Sequence, residues 1–144
     1  MRLCIQRVKS AKLTVENKLI SQINSGLLVF VGVCKGDTDE KVKKAAYRIS
    51  TMRVFEELGK MNKSVLDISG DVLLVSNFTL CTVDTSGTRP DFGLSADKDT
   101  AKSLYLALAD ELDTLGVSIQ TGVFGADMQI DAHLDGPITI YREI

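Results

Sequence analysis

Leu27-Leu28-Val29-Phe30-Val31-Gly32-Val33 is a continuous apolar run of strand-forming residues. It does not alternate apolar with polar, so it reads as a strand buried on both faces. Val72-Leu73-Leu74-Val75 has the same character and reads as a second buried strand. Upstream, Leu3, Ile5 and Arg7 alternate with Cys4, Gln6 and Val8, and Leu13 and Val15 continue the pattern. Glu16-Asn17-Lys18 marks a turn, Leu19–Ile23 a returning strand and Asn24-Ser25-Gly26 a further turn. Downstream, Asp37 opens a helix, with Glu40 three residues later in a capping-box-like pair. Val42, Ala45, Ala46, Ile49 and Met52 give that helix one buried stripe. Arg53-Val54-Phe55 predicts a short strand and Glu57–Asn62 a loop. A second helix is capped by Ser95 or Asp97, buries Ala101, Leu104, Tyr105, Leu108, Leu112 and Leu115, and stops at Gly116. Val117–Val123, Met128–Ala132 and Ile138–Tyr141 are the remaining strand candidates, broken at Gly122, Gly125 and Asp135-Gly136-Pro137. Two helices cannot cover both faces of a sheet of about eight strands. The expected fold is therefore α/β, with curved, barrel-like sheets and both helices packed on the outer side.

The chain has 144 residues, 44% hydrophobic and 25% charged, which is one domain's worth of sequence, 1–144, with enough apolar material for a real core. Its longest apolar run, Leu27–Cys34, is too short for a bilayer, which takes roughly 20 apolar residues. The start of the chain lacks a secretory pattern, and the expectation is a cytoplasmic protein. The net charge of −2 argues against a non-specific nucleic-acid binder, but leaves room for shaped recognition of one RNA end. Lys41, Lys43, Lys44 and Arg48 read as the solvated face of the first helix. Cys4, Cys34 and Cys81 are odd in number, widely spaced and flanked by apolar residues, so they read as small buried thiols. No CxxC pair exists, which removes zinc-ribbon and thioredoxin-type readings. There is one histidine, His133, and no tryptophan. A Ser-His-Asp or Cys-His hydrolase would rest on that single imidazole, and a His-rich metal site is impossible.

Two short segments carry chemistry. Ser76-Asn77-Phe78-Thr79-Leu80 follows directly on the buried strand Val72–Val75, where open α/β sheets place their ligands. It offers two hydroxyls, a carboxamide and backbone N–H groups suited to an oxyanion. Taken alone, it also fits a strand end turning into a loop with ordinary Ser/Thr hydrogen bonds. In Asp135-Gly136-Pro137-Ile138-Thr139, Gly136 allows close approach of backbone to a ligand, and the Gly–Pro bond has access to the cis form. A plain turn between two strands accounts for the same residues. His133 reads as a packed or surface side chain.

Together these residues suggest a family. Ser76-Asn77-Phe78-Thr79-Leu80 resembles the Ser-Gln-Phe-Thr-Leu motif of D-aminoacyl-tRNA deacylases, and Asp135-Gly136-Pro137-Ile138-Thr139 resembles their Asn-x-Gly-Pro-(Val/Ile)-Thr motif. Further landmarks occur in family order along the whole chain: Ile5-Gln6-Arg7-Val8, Gly26-Leu27-Leu28-Val29, Gly59-Lys60-Met61-Asn62, Asp84-Thr85, Gly87 with Arg89-Pro90 and Phe92, and Thr121 to Gln129. Asn77 stands where the family has Gln, Leu134 stands where the second motif begins with Asn, and the Asp84–Phe92 loop is one residue short. The resemblance implies a homodimer of barrel-like subunits that hydrolyses the ester between a D-amino acid and the 3′-terminal adenosine of tRNA. It places Ser76, Asn77, Phe78 and Thr79 in the catalytic site. It gives Gly136, Pro137, Ile138 and Thr139, with a cis Gly–Pro bond entering from the other subunit, the selection of chirality. Arg7, Arg89, Phe92, Phe124 and Met128 become candidate contacts to the tRNA 3′ end. The chemistry so read calls for no cofactor and no metal. Two alternatives stand beside it: a related deacylase acting on other mischarged tRNAs or glycyl-tRNA, and a tRNA-binding homologue with weakened catalysis.

Overall fold

A computed structural model of the chain describes residues 1–83 and 87–144. The Asp84-Thr85 landmark lies outside the described residues. The elements run β1 (Arg2–Val15), β2 (Lys18–Ile23), β3 (Gly26–Gly32), α1 (Asp39–Thr51), β4 (Phe55–Glu57), β5 (Lys60–Lys63), β6 (Asp71–Ser76), a 3-10 turn (Phe78–Cys81), α2 (Lys98–Thr114), β7 (Ser118–Thr121) and β8 (Gln129–Glu143). Six strands form one mixed sheet that nearly closes into a barrel, and β4 and β5 form a separate hairpin. β1 organises the sheet. Along one edge it pairs antiparallel with β8, from Arg2↔Glu143 to Thr14↔Gln129. Along the other, its first half pairs with β3 and its second half with β2. β3 runs parallel to β6, and β6 parallel to β7.

The two apolar runs are buried on both faces, as their lack of alternation predicts. Leu27, Val29 and Val31 of β3, with Val72 and Leu74 of β6, face a core shared with α1 and α2. Leu28, Leu73 and Val75 face the opposite way, into a smaller core closed by Val8, Ala11, Leu13 and Ile23. One curved sheet thus supplies the walls of two cores, and the two helices are needed on one side only. α2 keeps its expected ends: the Asp97 carboxylate accepts the Thr100 N–H at 3.0 Å, and Gly116 takes a positive φ of 83°.

Four local expectations change. First, the N-cap of α1 is Thr38, and Asp37 lies one residue outside the helix. Its carboxylate is committed elsewhere: it pairs with the Met1 ammonium, accepts the Cys34 N–H at 2.7 Å and accepts Lys41 Nζ at 2.9 Å. Burial pushes this carboxyl upward, but the donors around it outweigh that and hold it below its ordinary value. Second, the strand expected at Arg53–Phe55 starts at Phe55, and the expected loop Glu57–Asn62 is a tight hairpin. Leu58 and Gly59 form its corner, both with positive φ, the geometry that joins two antiparallel strands most directly. Third, Asp135-Gly136-Pro137 does not separate two strands. It is a bulge inside β8, because Gln6 pairs with Thr139 and Val8 pairs with Leu134, so four β8 residues, Asp135 to Ile138, face the single β1 residue between. Fourth, Cys34 and Cys81 are joined in a disulfide, and Cys4 alone is a free, half-buried thiol. Sequence spacing carries no information about a bridge between residues 47 positions apart. No helix among the described residues is long and apolar enough to cross a membrane.

Candidate active site

The parallel pair β3–β6 ends at one rim of the sheet, and there the chain leaves β6 through Ser76 and Asn77 into the 3-10 turn. Three contacts fix that turn. The Asn77 N–H donates to the Val31 carbonyl at 2.8 Å, holding the turn against the end of β3. Arg2 Nη1 donates to the carbonyls of Leu80 and Thr82 at 3.0 and 2.7 Å. The Cys34–Cys81 bridge ties the last residue of the turn to the segment that follows β3. Gly32 makes this approach possible: a Cβ there would fall 2.8 Å from Leu80 Cβ and 3.1 Å from Cys81 Sγ. Arg2 was not legible as a site residue, since a strand-edge arginine gives no signal until the turn packs beside it.

Beside the turn lies a cavity of about 510 Å³, within the usual range for a small-molecule site. Its walls are largely apolar, from Phe30, Val31, Val75, Phe124, Met128 and Ile130, and Ser76, Asn77 and Phe78 stand on one side of it. Phe78 is 61% exposed and meets Phe92 edge to face, with ring centroids 5.2 Å apart. The start of α2 closes another side. It is held there by the Ala96 N–H on the Val33 carbonyl at 3.0 Å and the Ser95 hydroxyl on the Phe78 carbonyl at 3.1 Å. Tyr105 lines the cavity as well as the core. Its hydroxyl donates to the Leu74 carbonyl at 2.8 Å, and burial pushes its pKa up to about 12, so it stays neutral at physiological pH. Tyr105, which the sequence placed only in a buried helix stripe, and Lys98, at the first position of α2 and not singled out by the sequence, are lining residues. The signal for both is that α2 begins where the buried strands end.

Asn77 caps the 3-10 turn. Its side-chain oxygen accepts the Thr79 N–H at 3.1 Å and also the Thr79 hydroxyl. Of the backbone N–H groups that this segment offers to an oxyanion, that of Thr79 is thus engaged within the turn. The Phe78 N–H is the first of the turn and has no partner inside it by position.

The structure brings Ser76, Asn77, Phe78, Phe124 and Met128 to one cavity. Thr79 follows in the same turn. Gly136, Pro137, Ile138, Thr139 and Arg7 do not line it. They form a second cluster at the β8 bulge, where Gly136–Pro137 is cis and Gly136 has φ 122°. A Cβ on Gly136 would lie 3.0 Å from the Ile138 N and 3.4 Å from Arg7 Nη2, so the position suits only glycine. Arg7 pairs with Asp135 at 3.0 Å and donates to the Val54 carbonyl, which ties the bulge to the segment before β4. Arg89 is exposed and lies off the cavity lining, and His133 sits exposed on β8 opposite Ser10. Among the described residues, no group of three or more His, Cys, Asp or Glu side chains is placed to hold a metal.

A nearly closed mixed sheet, two helices on its outer side and an apolar cavity at the ends of its parallel strands define a small α/β protein with a ligand-sized site. The family profile described as D-Tyr-tRNA(Tyr) deacylase matches residues 4–143, and the chain belongs to that family. A D-aminoacyl-tRNA deacylase of Paracoccus denitrificans is 44% identical over 144 residues, covering 99% of this chain and 97% of the relative. One of Thermosipho africanus is 45% identical over 141 residues, covering 97% and 95%. Among solved structures, the c-Myc DNA unwinding element binding protein superposes with a TM-score of 0.94 at 36% identity, covering 100% of this chain and 99% of that one. A probable eukaryotic D-amino acid tRNA deacylase shares the fold with a TM-score of 0.87 at 17% identity, covering 99% and 98%.

Proposed function

We propose that the chain hydrolyses the ester joining a D-amino acid to the 3′-terminal adenosine of tRNA, releasing free D-amino acid and tRNA, and so proofreads chirality in translation. The observation that carries this reading is the Ser76-Asn77-Phe78-Thr79 segment, fixed by three anchors at the side of an apolar cavity, in a member of the deacylase family. An aminoacyl ester is already activated, so positioning it and stabilising its oxyanion supply much of the rate. Water adds to the ester carbonyl, the Phe78 N–H donates to the developing oxyanion, and the 3′ oxygen of the ribose leaves with a proton. The neighbouring 2′-hydroxyl orients the water, which makes the RNA part of the mechanism. No imidazole is required, in keeping with the place of His133 on an exposed strand.

Chirality is read by exclusion. A D- and an L-residue exchange Cα–H and side chain, so a wall across one direction rejects every L-residue while sparing D-residues. The carbonyls of Gly136 and Pro137 are proposed to be that wall, reaching the cavity of a second copy of the chain, with Ile138 and Thr139 beside them. Two features support a homodimer. Among the described residues β8 pairs only with β1, which leaves its other edge unpaired, and it exposes Leu134 and Tyr141.

The test is a side-by-side deacylation of D-Tyr-tRNA, L-Tyr-tRNA and Gly-tRNA with purified protein. The expected result is rapid release from the D-substrate and release at the buffer rate from the L-substrate. D-Tyr-tRNA hydrolysis no faster than in buffer refutes the proposal. Preference for Gly-tRNA would select the related deacylase with shifted specificity, since glycine has no side chain for the wall to meet.

A further inference from the structure

Among the described residues, the cavity has one charged lining side chain, Lys98. Three observations single it out. It occupies the first position of a helix of 17 residues, so the partial positive charge of the helix N-terminus adds to that of the ammonium. Its stem runs beside the loop that carries Phe124 and Met128, where a Cβ on Gly125 would sit 3.9 Å from Lys98 Cε. It has no ion pair or hydrogen bond to another described side chain, although Asp97 and Asp99 flank it in sequence. Those two carboxylates are placed elsewhere: Asp97 caps the helix through Thr100, and Asp99 lines a separate cleft with Asp37 and Asp39. A cation without a protein partner, at the rim of an apolar cavity, fits a ligand whose apolar part goes in and whose anionic part stays at the mouth.

We propose that Lys98 is a positioning residue that holds the phosphate joining the terminal adenosine of the tRNA to the nucleotide before it. This rests on the deacylase reading above. The adenosine and its aminoacyl group occupy the apolar cavity between Phe78 and Phe124, and the first phosphate of the RNA chain lies at the mouth against the ammonium. Lys98 touches no reacting atom, so it contributes to capture of the substrate and not to the bond-breaking step.

The test compares the full protein with Lys98→Gln and Lys98→Arg on two substrates: D-Tyr-tRNA and 3′-O-(D-tyrosyl)adenosine, which has the ester but no phosphate. On the tRNA, Lys98→Gln is expected to raise KM about 3- to 5-fold with kcat changed less than about 2-fold, the scale of one exposed ion pair. Lys98→Arg is expected to restore KM. The slope of log(kcat/KM) against log(salt) is expected to flatten by about 0.7 in Lys98→Gln, one phosphate contact on a single strand. On the aminoacyl adenosine, wild type and both variants are expected to be equal. An equal loss on the two substrates, a loss confined to kcat, or no loss on the tRNA overturns the assignment. If the wild-type protein hydrolyses neither substrate, the deacylase reading falls, and the role of Lys98 with it. Normal turnover of both by wild type with no effect of the substitutions removes the role of Lys98 alone.

Discussion

Asn77 is the residue whose side chain sets what its neighbours can do. By accepting the Thr79 N–H and hydroxyl it ends β6 and starts the 3-10 turn, as short polar side chains do at helix starts. In doing so it takes up a donor that the proposed oxyanion site could use. A glutamine, one methylene longer, does not favour this short loop back onto its own turn. Asn77→Gln is therefore expected to free the Thr79 N–H and raise kcat on D-Tyr-tRNA by about 10-fold, the scale of a part of one oxyanion donor. KM is expected to stay within a factor of about two. Steady-state kinetics checks this, and an unchanged or lower kcat would leave Phe78 as the sole donor. The sequence showed that position 77 departs from the family motif. It did not show the consequence, because that depends on which N–H the shorter amide reaches.

The 3-10 turn is an element of four residues held mainly from outside: by Arg2 on β1, by Val31 at the end of β3 and by Cys34. A turn this short has little stability of its own, so its shape depends on those anchors. Reducing the Cys34–Cys81 bridge with a dithiol, which yields two thiols and the oxidised dithiol, is expected to lower unfolding stability by about 2–4 kcal/mol. It is also expected to lower kcat/KM, because the segment that lines the cavity loses one anchor. Denaturant melts and deacylation with and without the reductant check both effects, with Cys81→Ala as a control that should no longer respond. At this scale the legibility of the sequence is uneven, for physical reasons. β3, β6 and α2 were legible because burial on two faces or one stripe leaves a local pattern. The β8 bulge was not, since a Gly-Pro pair inside a strand looks the same as one between strands until the partner strand supplies the register. The disulfide was not legible either, because it joins segments that meet only when the 3-10 turn settles beside Gly32.

For the whole molecule, the candidate site falls into two clusters that the single chain does not join. The cavity with Ser76–Phe78 sits at the rim of the parallel strands, and the Asp135–Ile138 bulge belongs to β8, a strand paired with β1 along one edge only among the described residues. The resemblance read from the sequence already implied that the Gly–Pro motif enters from the other subunit, but the residue pattern alone had no means of saying that one chain keeps the two clusters apart. If a second copy completes the site, light scattering is expected to give twice the chain mass. Leu134→Lys, which puts a charge on the exposed face of β8 beside the bulge, is expected to shift the protein toward monomer and to reduce kcat/KM in proportion to the dimer lost. A monomeric, fully active wild type would refute the shared site.

The pairing of β1 with β8 has a consequence in time. β1 is made well before β8, yet one whole edge of it finds its partner only in residues 129–143. At about 5–20 residues per second, β1 waits for roughly 6 to 23 seconds with that edge open and with only β2 and β3 beside it. The sheet cannot close before β8 has been made, and until then the open edge of β1 is exposed to wrong strand partners.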